Sequence, residues 1–331
     1  VWKSTDGGAN WKPTFDNQSS QAIGALAVAP SNPNIVWAGT GEGWAVRDMD
    51  MMGDGIYKST DAGETWTNMG LKDTGRIGTI VVDPRDENIV MVCALGRATG
   101  PQKERGVFRT EDGGRTWTHA LFVNEDTGCS GLQQSKQDPN VVIAGTWEIF
   151  LQTHVLESGG MGSGIYLSKD GGKSWEDIGK NLPMAMKKWV SRIVPSKYDA
   201  GTVFVALRGR EDDDFTPYLF KSTDHGATFT SIVGNIPSGS VNTIREDPAV
   251  KGLLYAGNDF GAYVSKDDGT VWNDNARVSL RADAKNQSVT TTPLNAVTLT
   301  RYRVEFKRTD GKNVGGVDVP YSFDGTLSQT I

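Results

Sequence analysis

The sequence is short of cysteine, histidine and long apolar runs, and each shortage removes a class of protein. Two cysteines, Cys93 and Cys129, cannot supply a disulfide framework or a paired-cysteine metal knuckle. Both stand in strand-like stretches, where two buried free thiols are expected rather than a single disulfide. The three histidines, His119, His154 and His225, are scattered without metal-ligand spacing, so no metal site is expected. Apolar stretches such as Ile77–Val82 are strand-sized, far below the roughly 18 to 20 residues of a membrane-crossing helix. A net charge of -6 and a pI near 5.2 make nucleic acid or an anionic membrane surface a poor partner. No phosphate-binding loop, dinucleotide fingerprint or Ser-His-Asp set appears, and no cofactor is expected. The chain begins at Val1 inside a repeat motif, so any signal peptide or anchor is expected upstream of it.

What the chain has in quantity is glycine and tryptophan. Forty glycines and ten tryptophans beside only 37% hydrophobic residues suit many short strands joined by tight turns, an all-β chain with few helices. One motif recurs six times. Ser4-Thr-Asp6-Gly-Gly8-Ala-Asn-Trp11 is followed by copies centred on Asp61, Asp112, Asp170, Asp224 and Asp267, and the aspartates stand 55, 51, 58, 54 and 43 residues apart. That period is one four-stranded blade with variable loops. The residue types explain themselves: a carboxylate that accepts backbone N–H bonds locks a tight turn, Ser or Thr adds a hydroxyl bond, and glycine two positions after the aspartate takes positive φ freely. All six aspartates are therefore read as structural staples, and His225, inside a box, as structural too.

Between the boxes lies a second repeat, an apolar strand, a polar turn and another apolar strand, as in 77–84 and 88–95. Blades are expected over about 22–70, 77–122, 128–180, 189–233 and 241–274, with residues 1–16 giving the last hairpin of an earlier blade. The propeller thus spans 1–275. Residues 276–297 read as a linker, and 298–331 as a β-hairpin or small Ig-like extension with its turn at 309–313. In one alternative that hairpin completes the half blade 1–16 and closes the ring.

These boxes and hairpins resemble the BNR, or Asp-box, propellers, with a closer likeness over 1–275 to sortilin (Vps10)-like and bacterial "glycosyl hydrolase BNR repeat" proteins. The resemblance implies the β-propeller fold. It spreads over sialidases, xyloglucanases, sorting receptors and a photosystem assembly factor, so function has to be argued from the site.

In a four-stranded meander the boxes, as third turns, share one rim with the first turns. The second-to-third connections gather on the other face, beginning at Gly39, Gly96, Gly145, Arg208 and Gly257. Glu42, Trp44, Arg97, Trp147, Glu148, Arg208, Arg210, Asp259 and Phe260 lie there and form the candidate binding face. The acidic run 211–214 lacks the spacing of a calcium loop and is read as solvated. The Met-rich stretches 49–52 and 184–186 are read as loop packing. A sialidase would need an Arg-Ile-Pro signature, and the nearest string, Arg192-Ile-Val-Pro195, is interrupted. A glycoside hydrolase would draw on Glu42, Glu148 and Asp259, but nothing in the sequence sets their separation. The expectation is a non-catalytic, extracytoplasmic propeller, periplasmic or extracellular, serving as a protein-binding or assembly subunit of a larger, membrane-associated or photosynthetic complex. The alternative is a glycoside hydrolase or glycan-binding propeller.

Overall fold

The computed structural model describes residues 1–43, 51–184 and 188–276, together with the strands Glu305–Phe306, Val317–Ser322 and Thr326–Thr330. Five antiparallel sheets follow one another along the chain, each an in-order meander. Blade 1 is Ile23–Ala29, Asn32–Thr40, Ile56–Ser59 and Thr67–Asn68; blade 2 is Ile77–Val82, Val90–Ala94, Gly106–Thr110 and Thr118–Leu121. Blade 3 is Thr127–Gln134, Val142–Gln152, Ile165–Ser168 and Glu176–Asp177, with Val155–Ser158 paired on the far end of its second strand. Blade 4 is Trp189–Pro195, Val203–Gly209, Asp214–Ser222 and Thr230–Ser231; blade 5 is Val241–Glu246, Leu254–Asn258, Ala262–Ser265 and Asn273–Ala276. The first strands of successive blades lie against one another, and two short 3-10 turns are the only helical segments among the described residues.

The core lies between blades, so a middle strand is buried on both faces and reads as an unbroken apolar run. In Val90–Ala94, Val90, Val92 and Ala94 face blade 1, while Met91 and Cys93 face blade 3. Val203, Val205 and Leu207 face blade 3 in the same way, and Phe204 and Ala206 face blade 5. The opening hairpin, with Trp2 opposite Pro13, is followed by Phe15, which packs edge-on against Tyr57 and Trp66 of blade 1. At the other end Glu305–Phe306 pairs with Val317–Ser322, and Thr326–Thr330 adds a third strand; no ladder joins this sheet to the opening hairpin among the described residues. The tract assigned to the linker lies outside them beyond residue 276.

The cysteines correct an expectation. Cys93, on the second strand of blade 2, and Cys129, on the first strand of blade 3, meet across the blade interface with Cα atoms 5.1 Å apart and form a disulfide. Neither is a free thiol.

The box geometry recurs six times, and five boxes add a side-chain donor to the second aspartate oxygen, which the sixth, with Val271 at that place, does without. In the second box the Ser59 hydroxyl bonds Asp61 at 2.7 Å and accepts the Gly63 N–H at 2.8 Å, while Asp61 accepts the Thr65 N–H at 2.8 Å and its hydroxyl at 2.6 Å. The residue after each aspartate is also left-handed, at φ 59° for Ala62 and His225 and 63° for Asp268. In the five full blades that residue donates its N–H to the first turn of the same blade, as in Ala62 to the Asn34 carbonyl and Gly113 to the Asn88 carbonyl, at 2.8 and 3.0 Å. First and third turns therefore share a rim.

These hydrogen bonds hold the box carboxylates below the usual range, Asp6 through Asn10 and Asp224 through Thr228, both to about 2. Since the unfolded chain titrates near 4, it binds the extra proton first on acidification. The stabilisation is complete above about pH 4 and is lost as pH falls toward 2. A melting series across that window should show a steep fall in Tm, shallower in Asp224→Asn; equal slopes in the two proteins would contradict the staple role.

Candidate binding face

On the face opposite the boxes, a chain of contacts runs across three blades. Trp147 stacks on Trp189 with ring centroids 4.1 Å apart and planes 8° off parallel, and its Nε1–H donates to the Ser158 hydroxyl at 3.0 Å. The Arg208 guanidinium lies over the Trp189 ring at 4.8 Å, where a cation is attracted by the ring face. Arg208 also pairs with Glu211 and donates to the Asn242 side-chain oxygen at 3.4 Å. Asn242 donates in turn to Asp259 at 2.9 Å, and Asp259 accepts the Ser240 N–H at 3.0 Å and Arg210 at 3.4 Å. Four residues that the sequence marks as candidates, Trp147, Arg208, Arg210 and Asp259, are thus joined.

Their exposure changes the reading of two of them. Trp147 and Arg208 are buried, because their strands run on to Gln152 and Gly209 and keep both side chains inside the sheet stack. They brace the face and do not present themselves to a ligand. What is presented is Phe260 at 52% exposure, Phe215 at 44% and Arg210. The two phenylalanines flank Gly239, whose N–H donates to the Phe215 carbonyl at 2.7 Å and whose missing Cβ would stand 2.7 Å from the Phe260 ring.

The acidic run is divided between cations: Glu211 holds Arg208, and Asp214 pairs with Lys188 at 2.7 Å. Burial opposes ionisation of Asp214, but bonds from Lys188, Thr216 and Tyr218 outweigh it and hold the carboxyl well below the usual range.

Glu148 accepts the Gly162 N–H at 2.6 Å and so brackets the loop that follows its strand. It lines a cavity of about 360 Å³ with Asp126, Glu157, Pro101 and Phe150. Beside that cavity the fully buried Arg105 donates to the carbonyls of Asp126, Gly100, Ile149 and Arg97, the first two at 2.6 and 2.8 Å. Burial pushes its guanidinium down to about 10, with Asp126 opposing and Arg76 reinforcing. Glu42 is half-buried on blade 1 and Arg97 is exposed on blade 2, and neither bonds the Trp189 network among the described residues. Trp44 lies outside the described residues. Sequence reasoning passed over Trp189, Asn242, Phe215 and Asp126, which look like ordinary strand and loop residues until blades are juxtaposed.

Repeated blades with stapled outer turns have clear counterparts. The family model described as "Sortilin, neurotensin receptor 3" matches residues 1–146. The chain is an Asp-box β-propeller. As a propeller it superimposes on a GH74 enzyme of Niastella koreensis at a TM-score of 0.55 and 17% identity, covering 92% of this chain and 49% of that one. It matches a structure titled "YCF48 bound to D1 peptide" at a TM-score of 0.53 and 13% identity, covering 100% and 86%. In sequence it is 27% identical over 184 residues to a xyloglucanase of a Paenibacillus species, 50% of the propeller chain and 17% of the enzyme. The chain thus spans a small part of that curated relative and about half of the GH74 structure. No helix among the described residues is long and apolar enough to cross a membrane.

Proposed function

We propose that this propeller is a non-catalytic docking subunit working outside the cytoplasm, which captures a protein partner on the loop face of blades 4 and 5. The observation that carries the reading is the exposure of Phe215, Phe260 and Arg210 on a face where Arg210 is tied through Asp259 and Asn242 to the buried stack of Trp147, Trp189 and Arg208. Aromatic and arginine anchors on a preorganised base are what protein interfaces concentrate, and such a base lowers the ordering cost of binding. Two candidate carboxylates serve structure here, Glu148 by bracketing Gly162 and Asp259 by holding Ser240, Asn242 and Arg210. The disulfide supports an oxidising compartment, periplasmic or extracellular. The YCF48 propeller is bound to a D1 peptide, which supports a peptide-binding role for the fold and puts a photosynthetic assembly among the complexes to examine.

Co-purification from membranes with wild type and with Phe260→Ala and Arg210→Glu tests this. A hot spot contributes about 2 kcal/mol, so each variant should weaken partner binding by about 30-fold while leaving Tm nearly unchanged. Partner recovery equal in all three proteins would sink the assignment.

A second reading rests on the cavity where Asp126, Glu148 and Glu157 converge, since two carboxylates across a cavity are the requirement for glycoside hydrolysis. Robust turnover of an oligosaccharide, abolished by Asp126→Asn or Glu157→Gln with no partner recovered, would replace docking with hydrolysis.

A further inference from the structure

On the box rim, a cation just ahead of a box reaches the box of the next blade at four places, and at one of them the contact lacks an acid. Lys3, ahead of the first box, pairs with Glu64 of the second at 2.9 Å. Arg109, ahead of the third, donates to the Gly171 carbonyl of the fourth box at 2.8 Å and pairs with Glu111 of its own box at 2.7 Å, and Lys173 of the fourth box joins that carboxylate at 3.2 Å. Lys221, ahead of the fifth, pairs with Asp268 of the sixth. Lys58, ahead of the second box, donates to the Gly113 carbonyl at 3.3 Å as Arg109 does to Gly171, but without the carboxylate that Arg109 also has, and it lies 5.0 Å from the centroid of the Trp37 ring. Arg115 occupies in the third box the place that Glu64 holds in the second, and it donates to the Asp112 carbonyl at 3.1 Å. Neither cation is in an ion pair among the described residues.

Lys58 and Arg115 line a groove of about 360 Å³ together with Thr60, Thr65, Thr67 and Asn88. The Thr65 hydroxyl is committed to Asp61, and the Asp112 carboxylate on the same wall is bonded by Thr110 and Thr116. The donors left to a ligand are the two cations and the hydroxyls of Thr60 and Thr67. Burial pushes the Lys58 ammonium below the ordinary lysine value, Glu87 opposes this, and the Arg115 charge adds to it.

We infer that the groove between blades 1 and 2 is an oxyanion site that takes a phosphate or sulfate group, free or carried on a glycan. An arginine fork, an ammonium and two hydroxyls supply the charge-assisted bonds that such a group accepts. The ligand stands in for acids present at the equivalent positions: Thr60 replaces Glu111, Arg115 replaces Glu64, and Gly113 replaces Asp268.

Those equivalences supply the test. Gly113→Asp sets a carboxylate beside Lys58; a Cβ there would lie 2.9 Å from Nζ and 2.8 Å from Asn88 Oδ1, so both side chains must shift to admit it, and Asp268 already adopts the matching left-handed backbone conformation. Arg115→Glu and Thr60→Glu copy the other two arrangements, so the test stands if one variant fails to fold. The probes for calorimetric titration of the full chain are sodium phosphate, sodium sulfate, a sulfated disaccharide and its unsulfated counterpart. An oxyanion probe should bind saturably, and each folded variant should weaken it by about tenfold or more, with Tm within about 2 °C of wild type. Inorganic ions binding as tightly as the sulfated sugar identify a free anion, whereas the sulfated sugar binding alone identifies a glycan-borne group. Saturation by no probe, equal binding of the unsulfated sugar, or binding that survives the folded variants overturns the inference.

Discussion

Reduction of the Cys93–Cys129 disulfide lowers stability by about 3 to 4 kcal/mol, the chain-entropy value for a closed loop of this size. The bond spans 36 residues and ties blade 2 to blade 3 within the cluster of Met91, Val107, Leu132 and Val142. Freed, the two strands keep their apolar contacts but lose the covalent limit on the unfolded chain. At about 2 to 4 °C per kcal/mol, Tm should fall by about 10 °C in reductant, and Cys93→Ser/Cys129→Ser should melt at the reduced value in either condition. Identical melting of wild type with and without reductant would show that the link contributes nothing.

The second large effect belongs to Arg105. One buried guanidinium serves the carbonyls of Arg97, Gly100, Asp126 and Ile149, which tie the second-to-third connection of blade 2 to blade 3. Arg105→Met strands those acceptors away from water and should cost about 3 to 5 kcal/mol. Arg105→Lys should recover only part, because a single ammonium cannot span the directions of a planar fork. Urea unfolding gives the magnitude, and amide exchange over residues 95–105 gives the location. If exchange there stays slow in Arg105→Met, the guanidinium is not what orders the loop.

Local features were legible in the sequence, and features made by two blades were not. Each box closes within eight residues, so Asp61 and Thr65 announce their own geometry, and apolar runs such as Ile77–Val82 mark the strands between boxes. The cysteine link was invisible because it depends on how the first strand of blade 3 is placed against the second strand of blade 2. Trp147 and Arg208 read as loop residues because glycine and charge mark loop starts, yet the ladder pairs Gly128 with Trp147 and Trp189 with Arg208. The left-handed Ala62 could not be foreseen from residue type, since its conformation is imposed by the bond to the first turn.

That bond also separates two design problems. Every blade is fastened at one rim by a third turn held to a first turn, while the segments that differ most, from 259–261 in blade 5 to 95–105 in blade 2, emerge on the far side. A graft of a foreign recognition segment at 259–261 leaves all five fastenings untouched. The molecule is in this sense a chassis, on which specificity is rewritten loop by loop without recasting the blade cores.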